Sequence, residues 1–191
     1  MLSAAGDQAP AGPPGGGPAG GARVRPEPSP DEPRPVAWAR GLGAIQEAER
    51  LGSWRVGSEH LLLATLLDPV VRRLLFEAGV DVGLQRRIGR PLRTGIGAPP
   101  GILPRTAEMA LSDGAVRLLA TLEERTRTDA ALAGWVRPDH TTDPQGRSIV
   151  RRHLLVTLLD DAEPGAARTL LDEHGVDTHA GWLAERLVGR A

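Results

Sequence analysis

Two short stretches hold the residues of this chain best suited to chemistry: Ser58-Glu59-His60 at the head of "GSEHLLLATLLD", and Arg151-Arg152-His153 at the head of "RRHLLVTLLD". A histidine beside an acid or a hydroxyl can serve as a general base or hold a metal ion. His60 and His153 each stand alone before a run of leucines, without a partner at metal-ligand spacing, so a hydrogen-bonded structural role is expected for both. Asp172, His174, Asp177 and His179 flank one turn in "DEHGVDTH" and could gather a metal; solvated turn histidines are the simpler expectation, and no metal or cofactor is assigned. Glu59, in a first helical turn, complements the helix dipole, a contribution of about 0.3–1 kcal/mol. Arg152 stands where the other stretch has Glu59, with Arg151 before it. A cationic ligand would be repelled there, and a bare anion or an acidic peptide welcomed.

The leucines that follow these residues belong to the elements that must position them. Ser58 is suited to cap its own helix, whose Leu62, Leu63, Leu66 and Leu67 form a broad apolar face. Pro69 can open the next helix, with Val71, Leu74, Leu75 and Ala78 facing inward. That helix stops at Gly79 as a left-handed cap, with Val80 as an apolar plug and Asp81 as the next N-cap. A short helix through Leu84 and Ile88 follows. Upstream, Trp38, Leu42, Ile45 and Ala48 fall at helical spacing in "PVAWARGLGAIQEAERLG", with Gly52 as its cap. Gly41 and Gly43 weaken that helix by about 1 kcal/mol each relative to Ala, so packing must hold it.

After a linker at 93–110 the pattern begins again. Ser112 caps "DGAVRLLATLEERT", "RRHLLVTLLD" matches the leucine helix, and "PGAARTLLDEHGVD" repeats the third helix with the Gly175, Val176, Asp177 ending. Trp182, Leu183 and Leu187 line a last helix. The chain thus divides into repeat 1 at about 35–92 and repeat 2 at about 111–189, expected to pack face to face about a pseudo-twofold axis. The extra length of the second copy, at 134–148, is expected to be an exposed loop. On this pattern the leucines repeat because both copies build one core, and the acid changes to arginine because core packing leaves that position open.

Composition agrees with a helical reading. The 191 residues suit one ordinary domain or two small ones sharing a core. Aliphatic side chains dominate a 40% hydrophobic content while aromatics are 3%, which favours helices and predicts an all-α protein. Charge is nearly balanced at −1, so no net field would draw the molecule to nucleic acid or to anionic lipid. All 23 basic residues are Arg, as the chain has no Lys, and it has no Cys to form a disulfide, a thiolate metal site or a thiol nucleophile. Residues 1–35 contain 16 Gly or Pro, so a disordered tail is expected over 1–34. No apolar run approaches the roughly 20 residues that span a bilayer, and no secretory signal opens the chain, so a cytoplasmic protein is expected.

Taken together, "EAERLGSWRVGSEHLLLATLL", "LLFEAGVD" and the second copy of both resemble the N-terminal domain of Clp-family AAA+ unfoldases, the double Clp-N or Clp R domain. The resemblance covers roughly residues 35 to 189. The unfoldase motor needs a P-loop of the form GxxxxGK[ST], which a chain without Lys cannot supply, so the resemblance implies a standalone domain without ATPase activity. In the family this domain recruits substrates and adaptors for a Clp protease, some members recognise phosphorylated arginine, and the surface between the repeats takes peptide-like ligands, peptide-like antibiotics among them.

The phosphoarginine-binding members place an acid from a Gly-Thr-Glu-His motif against the ligand guanidinium. Glu59 matches that acid, with Ser58 in place of Thr; Arg34 aligns with a threonine that precedes the first helix, and Ser112 keeps a hydroxyl at the matching place in copy two. Backbone N–H groups at a helix start favour phosphate, and a carboxylate beside them suits the positive end of the same ligand. Trp54 and Trp135 are candidate peptide contacts, and Arg151 and Arg152 complete the candidate ligand residues. The expectation is a non-catalytic binding module. The alternatives are a regulatory scaffold acting through its loop or tail, and a peptidase-associated enzyme, which no Ser, His and Asp grouping, HExxH motif or cofactor loop supports.

Overall fold

The computed structural model describes residues 33–80, 109–128, 144–163 and 165–189. Most of the expected tail, the helix through Leu84 and Ile88, the linker up to residue 108, and Trp135 lie outside these residues.

Pro35 near its start favours α1, Arg34–Leu42, and Gly43 ends it by turning left-handed at φ 98°. The same glycine begins α2, Ala44–Leu51, which Gly52 closes at φ 72°. The single helix expected over 35–52 is therefore two, because a left-handed residue cannot continue a right-handed helix. Trp38, Leu42, Ile45 and Ala48 are buried as their spacing requires. A two-residue strand β1, Arg55–Val56, leads into α3, Ser58–Thr65. α4, Pro69–Glu77, follows, and then β2, Ala110–Leu111, and α5, Asp113–Thr128. The second half continues with α6, Pro144–Asp160, α7, Ala166–Glu173, a 3-10 turn at Asp177–His179, and α8, Ala180–Val188. The described residues are thus all-α apart from one short parallel pair, in which Arg55 and Val56 of β1 face Ala110 and Leu111 of β2.

α3 is the hub of the core. Every residue from His60 to Thr65 is buried, as expected of a helix that is apolar nearly all round, and it packs on α1, α2, α5, α6 and α7. Leu67, expected on its buried face, is instead partly exposed because α3 ends at Thr65. α6 begins at Pro144, so 144–148 is helical where a loop was expected. The Gly-Val endings form alike in both halves: Val80 N–H donates to Leu75 O and Val176 N–H to Leu171 O, each at 2.9 Å, behind Gly79 and Gly175 at positive φ. Among the described residues, no helix is long and apolar enough to cross a membrane.

Candidate functional site

The β1–β2 pair brings the start of α3 beside the start of α5. Val56 lies opposite Leu111, and the Ser112 N–H donates to Val56 O at 2.9 Å. Ser112 caps α5 as expected, its hydroxyl accepting from the Ala115 N–H at 3.1 Å. Ser58 does not cap its own helix: Gly57 is the N-cap residue and Ser58 is already helical. The Ser58 hydroxyl accepts instead from the Ala167 N–H of α7 at 3.2 Å. Because the N-cap of α7 is Gly165, which has no side chain, Ser58 supplies the missing acceptor from another helix.

A pocket of about 160 Å³ opens where these three helix starts meet. Leu118, Leu158 and Ala167 form its apolar part, and Gly114 and Gly165 keep its walls close to the backbone. Its charged groups are Arg117, Arg168, Asp161 and Glu163. Arg117 Nη1 lies 2.7 Å from Glu163 Oε2, and its Nη2 lies 3.5 Å from Asp161 Oδ2. Arg168 Nε meets Asp172 Oδ1 at 3.0 Å, while its Nη1 donates to Leu159 O at 3.2 Å.

Glu59 takes no part in lining this pocket. Its carboxylate folds back over Gly57, where a Cβ would collide with Oε2. His60 is buried, and its Nδ1 accepts from the Gly57 N–H at 2.9 Å, lies 3.1 Å from Glu59 Oε1, and leaves Nε2 3.0 Å from Ser53 Oγ. Burial, the largest influence on the Glu59 carboxyl, pushes its pKa up, but hydrogen bonding and charge from His60, with a bond to its own backbone, bring it below the usual value. That depression belongs to the imidazolium form. Nδ1 cannot hold a lone pair for Gly57 and a proton for Glu59 at once.

Ser53, His60 and Glu59 thus stand in the order of a nucleophile, base and orienting acid, a grouping that was not legible in the sequence. The Gly57 bond works against that chemistry. It requires the lone pair on Nδ1, so the neutral ring carries its proton on Nε2 and donates to Ser53 rather than removing its proton.

The remaining candidates disperse. Arg34 is exposed and pairs with Glu123 at 2.6 Å, about 13 Å along α5 from Gly114 at 1.5 Å per residue, so it is not brought to the pocket. Trp54 is 46% exposed and precedes β1. Arg151 donates to Leu42 O through Nε at 3.0 Å and Nη2 at 2.7 Å, satisfying a carbonyl that the break at Gly43 would otherwise leave open. Arg152 Nη2 donates to Ser148 Oγ at 2.9 Å, the Ser148 hydroxyl donates to Asp68 Oδ2, and Arg152 Nε lies 3.7 Å from that oxygen. Position 152 is therefore not open to free exchange, contrary to the expectation: its guanidinium is the counter-charge of a buried acid.

Comparison with protein-family models, curated proteins and solved structures finds no match to this chain. Function therefore rests on geometry. Among the described residues no group of three or more His, Asp or Glu could hold a metal ion, and His179 is exposed. The residues that sequence reasoning missed are Arg117, Glu163 and Arg168, three charges among many with no local signal, and Asp68, whose place directly before Pro69 is an N-cap signal.

Proposed function

We propose that this chain is a non-catalytic binding module resembling the recruiting N-terminal domain of Clp unfoldases, built from two four-helix repeats and acting in the cytoplasm. Its partners would be Clp protease components, adaptors, or client proteins and peptides. The observation that carries this proposal is the pocket at the starts of α3, α5 and α7, lined by charges of both signs over an apolar floor. The similar Gly-Val helix endings and the meeting of the Ser58 and Ser112 helix starts support the repeat arrangement. A phosphoarginine form of the activity, or capture of a peptide-like antibiotic, is the more specific version. For phosphoarginine, Glu59 must swing away from Gly57 to reach a guanidinium.

Calorimetric titration with phosphoarginine, a phosphoarginine peptide and unmodified client peptides tests this role. Saturable binding that is lost with Arg117→Ala supports recruitment through the pocket, and loss with Glu59→Ala means that this carboxylate turns out onto the ligand. Absence of heat with every ligand would sink the recruiting role. The Ser53–His60–Glu59 order favours a hydrolase as the second reading, and covalent labelling of Ser53 by a fluorophosphonate would establish it. No labelling is expected, because the Gly57 bond fixes the wrong tautomer.

A further inference from the structure

The two arginines of the pocket differ in what holds them. Arg168 is tied to Asp172 on its own helix and to the Leu159 carbonyl. Arg117 takes its shortest contact from Glu163, a side chain 62% exposed, and a longer one of 3.5 Å from the less exposed Asp161. An ion pair this open to water is stabilising by no more than about 1 kcal/mol, so Glu163 can leave Arg117 readily. A departing Glu163 takes a negative charge with it and leaves a guanidinium that offers paired N–H donors to a planar or tetrahedral oxyanion. A cation would gain less, since both acids are already paired with Arg117 and Arg117 itself would oppose it. The volume of about 160 Å³ admits a group of roughly benzene size, which suits a side-chain tip and excludes a folded partner.

We infer that Glu163 is a built-in competitor, whose carboxylate holds Arg117 until a carboxylate or phosphoryl group carried by an acidic peptide takes its place. The inference rests on the recruiting role proposed for the pocket and adds its ligand class and its internal inhibitor. The competing pair sets the size of the effect: removing a contact of up to about 1 kcal/mol tightens binding about two- to fivefold.

The test is an amide NMR titration of the full chain at one ionic strength, with inorganic phosphate and with a capped tetraglutamate peptide as probes, on wild type, Glu163→Gln, Asp161→Asn and Arg117→Ala. Saturable shifts at Ser58, Gly114 and Gly165 are expected, with an apparent Kd two- to fivefold lower in Glu163→Gln, a smaller gain in Asp161→Asn, and no saturation in Arg117→Ala. Response to both probes identifies the oxyanion as the common element, and response to one alone identifies its source. Pocket shifts with an unchanged or higher Kd in Glu163→Gln overturn the competitor. Peptide binding that shifts only residues remote from the pocket overturns the inference while leaving recruitment standing. If no variant responds to these probes or to the peptides of the recruiting test, both fall.

Discussion

Replacing Asp68 is expected to be among the most damaging polar substitutions in the described core, and its cost can be divided. The side chain is 1% exposed and does two jobs. Oδ1 caps α4, accepting from Val70 N–H at 2.7 Å and Val71 N–H at 3.1 Å. Oδ2 receives the Ser148 hydroxyl and faces the Arg152 guanidinium. Loss of the cap costs about 1 kcal/mol. Deserting a fully buried partner would cost about 3–5 kcal/mol, but Arg152 reaches solvent and keeps Ser148, which reduces that share to about 1 kcal/mol. Asp68→Ala should therefore lose about 2–3 kcal/mol once the stranded Ser148 hydroxyl is included. Asp68→Asn, which keeps an oxygen for the two N–H groups, should lose about 1 kcal/mol. Urea unfolding of both variants, with Arg152→Met and the double mutant completing a cycle, separates the two jobs. A coupling near 1 kcal/mol is expected between positions 68 and 152. If Asp68→Asn is neutral and the coupling falls below about 0.3 kcal/mol, Arg152 is not the counter-charge of Asp68 and this account of its identity fails.

Ser58→Ala should cost about 1 kcal/mol by uncapping α7, with amide exchange in Ala167 accelerating before that in α3; equal acceleration in both would refute the cross-helix cap. Gly43→Ala should cost about 2 kcal/mol or more in urea unfolding, since a left-handed alanine is strained and its Cβ would sit 3.1 Å from Leu67 Cδ1 and 3.2 Å from Arg151 Nη2; an unchanged midpoint would contradict the break between α1 and α2. The Glu59 carboxyl has a lowered folded-state pKa, so its contribution is present above the ordinary carboxylate range and disappears as pH falls through the folded value. The stability difference between wild type and Glu59→Gln should shrink as the pH falls below the ordinary carboxylate range, and a difference that stays constant would show that His60 does not stabilise the carboxylate.

Helix identity was legible wherever one face is apolar at regular spacing: Trp38, Leu42 and Ile45, Leu62 and Leu63 of α3, and the Gly79-Val80 and Gly175-Val176 endings sit as their pattern requires, whereas Leu67 falls beyond the end of α3. Gly43 shows the limit. A lone glycine in a periodic stretch is compatible with a weakened helix or with a break, and only the Arg151 guanidinium arriving from α6 at Leu42 O favours the break. The candidate site was legible in outline, because the helix-start hydroxyl of Ser58 lines the pocket and that of Ser112 caps the helix whose first turn lines it. Its charges were not legible. Arg117 and Glu163 are 46 residues apart, and nothing local to either distinguishes it from the other arginines and acids on exposed helix faces.

The contrast between Glu59 and Arg152 follows from what each must neutralise. Glu59 sits beside the Gly57–His60 corner, where a negative group fits the first turn of α3. Arg152 lies within α6, eight residues past its start, where the local need is set by the buried Asp68 across the interface. The two leucine stretches can share their leucines because both fill one core, but they cannot share the residue before the histidine while Asp68, at the start of α4, is buried against α6. Arg151 deepens the asymmetry by closing α1 at Leu42, so both arginines of the second stretch are clamps between the halves. A ligand role for that stretch would require the clamps to open first. Arg117, held by the exposed Glu163, faces no such requirement, which is why a charge at the pocket exchanges more readily than Arg151 or Arg152.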